Sequence, residues 1–143
     1  MVTSQYLLDS NVLSEIRKGK KAHPRVQAWF ENRKQTELAT SVICLMEVKV
    51  GIHRALKQDT AFGLLLQEWY EKKIRPAFQS TALSFDLQCA ETCAHLQSKR
   101  TLPFRDGMIA ATALENNSTL VTRNVTDFEG LGLEVVNPWD KTP

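Results

Sequence analysis

Residues 103–114 read PFRDGMIAATAL, and the order of this segment and the following STLVT, residues 118–122, decides the fold. Small apolar residues lie at i+3, i+4 and i+7 from Asp106, which is the spacing of one face of an α-helix. STLVT has the character of a buried β-strand. A helix that leads into a strand is one unit of an α/β fold. The carboxylate of Asp106 shares the apolar face and is predicted to point inward.

The same alternation of strands and helices extends along the chain. Further strands are predicted at Tyr6–Leu8 and at residues 37–41 (ELATS), 80–83 (STAL) and 133–137 (LEVVN). Further helices are predicted around residues 12–16, at 23–33, from the N-cap Ser41 to about Leu56, at 61–74 and at 85–100. This order predicts a three-layer α/β/α sandwich with a central, mainly parallel sheet. Ligands of such sheets bind in the crevice at the carboxyl ends of the strands.

Length and composition limit the number of domains and the classes of function that the chain can have. The 143 residues are predicted to form a single domain, residues 1–143, since this length is close to the commonest domain size. The formal charge of +2 is too small to identify a nucleic-acid-binding protein by itself. Cations bound to a cluster of acids would, however, leave a basic surface around them.

Cysteines and histidines give little sign of chemistry. The three cysteines, Cys44, Cys89 and Cys93, lie in apolar helical patterns without CxxC spacing and are predicted to be reduced core thiols. The three histidines are scattered over different elements, which disfavours catalysis by a histidine pair. The sequence has no glycine-rich phosphate loop and no nucleophile elbow. Without a signal peptide or a membrane span, the protein is predicted to be cytoplasmic.

Two aspartates follow predicted strands directly. Asp9 comes after Tyr6–Leu8, and Asp127 lies in the polar loop after STLVT. Both positions face the crevice at the carboxyl edge of the sheet. The alternative for Asp9 is an Asx turn or a helix N-cap, and the alternative for Asp127 is an ordinary turn.

Two further acids lie on helix faces that border apolar stripes. Glu47 has Ile43 at i−4 and Val50 at i+3, and a carboxylate turned toward a core is unfavourable unless it is paired or bound to a metal. The alternative is a surface ion pair with Arg54 at i+7. Asp106 alternatively gains only the helix-dipole stabilisation of a first-turn acid, about 0.3–1 kcal/mol.

The four acids together predict one acidic cluster. Clustered carboxylates repel one another unless cations lie among them. Oxygen ligands favour Mg²⁺, with Mn²⁺ as a substitute, over zinc. Such ions activate water and stabilise the leaving oxygen when phosphodiesters are hydrolysed, so the pattern indicates a nuclease.

The sequence resembles the PIN-domain family, and within it the VapC and FitB-like toxins of bacterial toxin–antitoxin pairs. Four stretches carry the resemblance in order: YLLDSNVLSEIRK, LATSVICLMEVKVGI, LPFRDGMIAATALE and LVTRNVTDFEGLGLEVVNPW. The resemblance implies a metal-dependent endoribonuclease. It makes Asp9 and Asp106 the principal Mg²⁺ ligands, with Glu47 and Asp127 completing or positioning the metal pair.

The same resemblance assigns supporting roles. Ser10 stands where these toxins often carry threonine, and Asn11 and Asn124 correspond to hydrogen-bonding partners behind the metal ligands. Arg105 replaces the small residue common before the second aspartate. It is expected either to touch phosphate or to be solvated, and solvation is preferred. Arg123 approaches the RNA backbone or lies on the surface.

The resemblance also implies partners. These are a homodimer or a toxin–antitoxin hetero-oligomer, an RNA substrate, and a cognate antitoxin that covers the acidic groove with a basic side chain and alone supplies DNA binding. No membrane partner is expected. The apolar stretches VQAWF and FGLLLQEWY are expected to form either a partner surface or core. The competing hypotheses are a catalytically silent PIN-like interaction module and a nuclease acting on DNA or nucleotides.

Overall fold

The computed structural model describes residues 5–140, which form a parallel sheet with helices on both faces. The helices are α1 (Ser10–Ile16), α2 (Pro24–Glu31), α3 (Val42–Gln58), α4 (Thr60–Trp69), α5 (Arg75–Phe78), α6 (Leu87–Lys99) and α7 (Phe104–Glu115). The strands are β1 (Tyr6–Leu8), β2 (Leu38–Ala39), β3 (Thr119–Val121) and β4 (Val135–Val136). The predicted fold class is confirmed.

The sheet has the strand order β2-β1-β3-β4, and every pair is parallel. The first strand is therefore central, with Leu7 opposite Ala39 on one side and Leu120 on the other. Because all strands run in the same direction, their carboxyl ends meet at one edge. The backbone N–H of Asp9 donates to the carbonyl of Val121 (2.9 Å), which fixes this aspartate at that edge.

Side-chain alternation along the strands divides the core into two layers. Leu7 and Leu120 face the layer packed against α6 and α7, whereas Leu8 and Val121 face the layer packed against α1 and α2. All four side chains are fully buried. A strand segment that is buried on both faces has to be apolar, which explains the pairs Leu7–Leu8 and Leu120–Val121.

The small residues of α7 allow it to pack closely between the sheet and α6. Ile109, Ala110 and Ala113 are fully buried, as their spacing from Asp106 predicted. A Cβ atom on Gly107 would lie 3.0 Å from both the Sγ of Cys93 and the Nε2 of Gln97 on α6. The close packing fixes the first turn of α7, and Asp106 with it.

The predicted strand at residues 80–83 is wrong in extent. Only Leu83 joins the strand edge, through a single parallel bridge to Ser41. The chain leaves α5 in a turn in which the N–H groups of Thr81 and Ala82 both donate to the carbonyl of Phe78 (3.0 and 2.7 Å). These amides are therefore not available to pair with a strand.

The helix predicted at residues 61–74 continues past its predicted end. A π-helical turn, Tyr70–Ile74, joins α4 to α5, in which Pro76 lies in the first turn. Proline has no N–H to donate, and a wide π turn is one way in which a helix accommodates an irregular hydrogen-bond pattern.

The predictions for Ser41 and for the three cysteines agree with the structure. Ser41 caps α3 by accepting a hydrogen bond from the N–H of Cys44 (3.1 Å). The three cysteines are buried and free, and His23, His53 and His95 are exposed. Within residues 5–140 no helix is long and apolar enough to cross a membrane.

The apolar stretches of α2 and α4 differ in burial. Val26 and Trp29 of α2 belong to the core. In α4, by contrast, Phe62, Leu64 and Leu65 are exposed. The core interpretation therefore holds for VQAWF, whereas FGLLLQEWY presents apolar side chains at the surface.

Two helical glycines provide a matched test of this packing. We expect Gly63→Ala to destabilise the protein by about 1–3 kcal/mol, the cost of overpacking, because the new Cβ would lie 2.6 Å from the backbone of Leu56 where α4 packs on α3. Gly51→Ala in α3, where a Cβ meets nothing within 4 Å, should stabilise by about 0.5–1 kcal/mol. Urea unfolding followed by tryptophan fluorescence measures both changes in the free energy of unfolding. If both substitutions stabilised the protein, or both destabilised it, the packing described would be contradicted.

Candidate functional site

Three of the four predicted acids meet at the carboxyl edge of the sheet, around one arginine. Asp9 follows β1, Glu47 lies on α3 and Asp106 lies in the first turn of α7. The guanidinium of Arg105 lies among them and bonds to each one through a different nitrogen. Residues distant in sequence are thus joined through a single cation.

Asp9 is the innermost member and is fully buried. Its Oδ1 accepts from the backbone N–H of Ser10 (2.7 Å) and from Nη2 of Arg105 (2.6 Å). Its Oδ2 accepts from the hydroxyl of Thr122 (2.8 Å). Asp9 is also the N-cap of α1, so the capping alternative and a place in the acidic cluster hold together. A buried carboxylate needs partners of this kind, because desolvation of a charge is costly.

A buried thiol borders the same carboxylate. The Sγ of Cys44 lies 3.8 Å from Oδ1 of Asp9. Burial, reinforced by the negative charge of Asp9, raises the pKa of Cys44 to about 12. Cys44 is therefore a neutral thiol near pH 7 and acts as a weak donor to Asp9 instead of a nucleophile.

Glu47 is held in place from two sides. Its Oε1 accepts from the hydroxyl of Ser10 (3.0 Å), and its Oε2 accepts from Nε of Arg105. The ion pair with Arg54 considered from the sequence is absent from the described residues, and Arg105 takes that role. Ser10 additionally accepts from Nη2 of Arg105 (3.3 Å), so its hydroxyl connects the two charged groups.

Arg105 corrects the sequence prediction, in which this side chain was solvated. Only 29% of the side chain is exposed, and besides Glu47 it binds Asp106 through Nη1 (2.8 Å) and Asp9 through Nη2 (2.6 Å). Burial lowers the pKa of Arg105, but the hydrogen bond to Glu47 and the charge of Asp9 outweigh burial, so this pKa lies above its usual value. Arg105 is therefore a permanent cation inside the acidic cluster. The position of Arg105 directly before Asp106 in the sequence could have indicated that its side chain contacts the acidic cluster.

Asp127 lies apart from this cluster. It belongs to the short 3-10 turn Val125–Phe128 and is exposed. Within the described residues its carboxylate forms no hydrogen bond and no ion pair, while its backbone carbonyl accepts from Arg100 (2.6 Å). A role for Asp127 at the site stays a prediction.

Behind Asp9 a small polar network involves two predicted asparagines. The hydroxyl of Thr122 donates to Asp9 and accepts from Nδ2 of Asn11 (3.3 Å) and from the backbone N–H of Asn124 (3.1 Å). Thr122 is the member that the sequence analysis missed, although it ends the STLVT strand. The side chain of Arg123 lies outside this network and stacks over the ring of Trp139 at 5.0 Å, which accounts for its surface position.

A cleft opens beside the three acids. Of the three acids, only Glu47 lines its cavity of about 710 Å³, together with Arg105, Arg17 and Arg54. Aromatic rings complete the wall, and the guanidinium of Arg17 lies 5.5 Å from the ring centre of Phe62. A wall that combines Glu47 of the acidic cluster with several arginines suits a polyanion bound with a cation at its reacting centre.

The donor set suits a hard divalent ion. Three carboxylates and a serine hydroxyl supply oxygen ligands, and fully buried Asp9 already requires a cation. Within residues 5–140, however, no three acidic, histidine or cysteine side chains are close enough as placed to hold an ion. The cause is visible in the geometry, because the acids are spaced around a guanidinium, which is wider than an ion.

Comparison with known proteins agrees with this architecture. Residues 6–131 match the PIN domain family. The plasmid stability protein StbB of Pseudomonas syringae pv. tomato is 34% identical over 94% of this chain and 98% of its own length. The VapC ribonuclease Y4jK of Sinorhizobium fredii is 32% identical over 94% and 97%, respectively. Toxin FitB of Neisseria gonorrhoeae is 32% identical over 93% and 97%.

Solved structures give the same result. The crystal structure of FitAcB from Neisseria gonorrhoeae superposes with a TM-score of 0.84 and 31% identity, covering 94% of this chain and 99% of that one. A toxin–antitoxin complex from Klebsiella pneumoniae superposes with a TM-score of 0.65 and 27% identity, covering 96% and 100%.

The support that Thr122 gives to Asp9 can be measured. We expect Thr122→Val to lower the free energy of unfolding by about 1–3 kcal/mol, since it removes a hydrogen bond to a buried carboxylate. Thr112→Val is the matched control, because that equally buried hydroxyl donates to the carbonyl of Met108 within its own helix (2.8 Å). Removal of the Thr112 hydroxyl leaves no buried charge without a hydrogen-bond partner. Urea denaturation gives both values, and equal losses would show that Thr122 does not support Asp9.

Proposed function

Because the chain belongs to the PIN domain family, we propose that it is the ribonuclease toxin of a bacterial toxin–antitoxin pair and hydrolyses RNA with a divalent metal ion. The names of its relatives include a VapC ribonuclease and a toxin. The observation that carries the proposal is the convergence of Asp9, Glu47 and Asp106 at the carboxyl edge of the sheet.

The three acids differ in what they contribute. Asp9 and Asp106 are mostly buried and belong to the ends of rigid elements, so we assign them as the principal ligands of Mg²⁺ or Mn²⁺. A divalent ion held there would activate a water molecule and stabilise negative charge on the leaving oxygen. Glu47 is more exposed and lies closer to the cleft, which suits a ligand that adjusts to the substrate.

Supporting residues orient the ligands. Thr122 fixes one oxygen of Asp9, and the Ser10 hydroxyl fixes one oxygen of Glu47. Asn11 holds the loop after β3 through the backbone N–H of Arg123 (3.3 Å) and through Thr122. That loop leads to Asp127, and we propose that this acid completes the site when substrate is bound. Partners of this kind commonly affect metal affinity or activity by about 10–100-fold.

The cleft suits a single-stranded nucleic acid, and the VapC ribonuclease among the relatives favours RNA as the substrate. Arg17 and Arg54 line the wall of the cleft together with Glu47 and can neutralise backbone phosphates. Phe62 and Trp69 line the same cavity and offer rings against which unpaired bases can stack. Both features bind single-stranded nucleic acid with little dependence on sequence. Since such a toxin acts on cellular RNA, a cytoplasmic location belongs to this proposal.

The partners follow from the same family membership. We propose a cognate antitoxin, since a related structure is described as a toxin–antitoxin complex, and DNA contact only through that antitoxin. Exposed Leu64 and Leu65 of α4 supply apolar surface for a homodimer or for the antitoxin. Sedimentation of the purified chain with and without its antitoxin would distinguish these two uses.

The proposed chemistry predicts the outcome of single charge removals. Asp9→Asn and Asp106→Asn should each lower the rate of Mg²⁺-dependent RNA cleavage by about 10²-fold or more, the scale of losing one group that stabilises a charged transition state. Asp127→Asn should cost less, because its carboxylate lies outside the cluster. The rates are measured on a labelled single-stranded RNA, and EDTA should abolish cleavage.

Glu91→Gln, an exposed acid on α6, is the control for loss of one negative charge. Full activity in EDTA would contradict the metal mechanism. Growth arrest on expression of Asp106→Asn equal to that of the wild type would favour a catalytically silent interaction module. Faster cleavage of single-stranded DNA than of RNA would reassign the substrate.

A further inference from the structure

The position of Arg105 has a consequence for metal binding. Each of its three guanidinium nitrogens binds a different carboxylate of the cluster, and these are the acids proposed as metal ligands. The guanidinium and a divalent ion therefore require the same oxygens. The three carboxylates carry three negative charges, of which the guanidinium neutralises one and a divalent ion in its place would neutralise two.

The two cations cannot share the present arrangement. An ion coordinated by Asp9 and Asp106 would lie within a few ångströms of the guanidinium, and like charges repel strongly at about 4 Å in a partly buried site. The oxygens are also spaced around a planar group, so they must close inward to coordinate an ion. Both steps require the guanidinium to leave.

Arg105 has a path by which to leave. It precedes Asp106 in the first turn of α7, at the surface edge of the cluster, and 29% of its side chain is exposed. It also lines the cleft that contains Arg17 and Arg54. An arginine side chain is long and can reorient without moving the helix that carries it. Asp9, by contrast, is fully buried at the end of a strand and stays in place.

We propose that Arg105 is a displaceable internal counterion: it occupies the acidic cluster in the absence of metal, competes with the divalent ion for Asp9, Glu47 and Asp106, and turns into the cleft when the ion binds. The inference rests on the proposed metal-dependent function. In the cleft, the displaced guanidinium joins Arg17 and Arg54, where its planar pair of donors fits phosphate oxygens. Metal binding would then create a phosphate contact at the reacting end of the cleft.

The alternative is a fixed structural ion pair that persists with metal bound. Loss of a fixed ion pair weakens the folded protein and disorders the carboxylates, so metal affinity should fall or stay constant. Loss of a competitor should raise metal affinity. A rise in affinity therefore excludes a purely supporting ion pair, and the Nε–H resonance of Arg105 described below shows whether the guanidinium leaves its carboxylates when the metal binds.

The test is Mn²⁺ binding to the full-length protein without RNA, measured by calorimetry and by the loss of the free-ion signal in electron paramagnetic resonance. We expect Arg105→Gln to lower the Mn²⁺ dissociation constant by about tenfold or more, the scale of losing a charge-assisted competitor. Arg105→Lys keeps the charge but loses the planar set of donors, and its dissociation constant should fall between those of the glutamine variant and the wild type.

Arg75→Gln is the matched control. Arg75 pairs with Glu71 on an exposed helix surface, so its replacement removes the same charge outside the cluster. Its Mn²⁺ dissociation constant should equal that of the wild type. A gain in affinity equal to that of Arg105→Gln would indicate a general effect of net charge and would overturn the proposal.

Thermal unfolding adds an independent measurement. Without metal, Arg105→Gln should melt at a lower temperature than the wild type, because three carboxylates lose their common cation. Saturating Mg²⁺ should raise its melting temperature by more than it raises that of the wild type. A metal-induced shift equal to or smaller than that of the wild type would overturn the competition.

The wild type itself supplies the last measurement, which does not depend on the folding of any variant. The Nε–H resonance of Arg105 should move when Mg²⁺ is added, as its hydrogen bond to Glu47 is lost. A resonance unchanged at saturating Mg²⁺ would overturn the proposal. If the wild type cleaves RNA with metal but Arg105 does not compete, only this inference fails; if no metal-dependent cleavage occurs, the proposed function fails.

Discussion

The carboxylate of Asp9 is the constraint on which the rest of the site depends. It is fully buried at the end of the central strand, where the carboxyl ends of the neighbouring strands also meet. A charge in that position requires donors on every side, and they come from α1, from the end of β3 and from α7. The parallel sheet brings those elements together. Ser10, Thr122 and Arg105 thereby surround the two carboxylate oxygens of Asp9 and supply the hydrogen bonds that water would otherwise give.

Much of this arrangement could be predicted from local pattern. The alternation of strands and helices gave the fold class, and the apolar spacing after Asp106 gave its inward orientation. Glu47 was identified because a carboxylate beside an apolar stripe needs a partner. The boundaries of short helices and strands were harder to predict. The bridge at Leu83 does not extend into a strand because the preceding turn already uses the amides of Thr81 and Ala82, and sequence periodicity does not show such competition.

The partner of Glu47 could not be derived from the sequence for a physical reason. Spacing within a helix singled out Arg54, two turns farther along the same face, whereas the observed partner lies 58 positions away. Contacts of that kind depend on how α3 and α7 approach each other across the sheet edge. Asp127 illustrates the converse. A strand-end position indicated the cluster, but the loop after β3 forms a 3-10 turn that leaves its carboxylate exposed.

An internal cation separates folding from metal binding. In small zinc domains the ligands lose their reason to be ordered when the metal is removed, so metal affinity and stability are one quantity. Here Arg105 neutralises part of the acidic cluster and keeps its ligands on their elements in the absence of an ion. Any other cation that enters, whether a metal or a basic side chain of the proposed antitoxin, meets an oriented set of oxygens that is already satisfied. Under the proposed displacement of Arg105, binding of such a cation is an exchange of one cation for another, and its net free energy is the difference between two strong interactions.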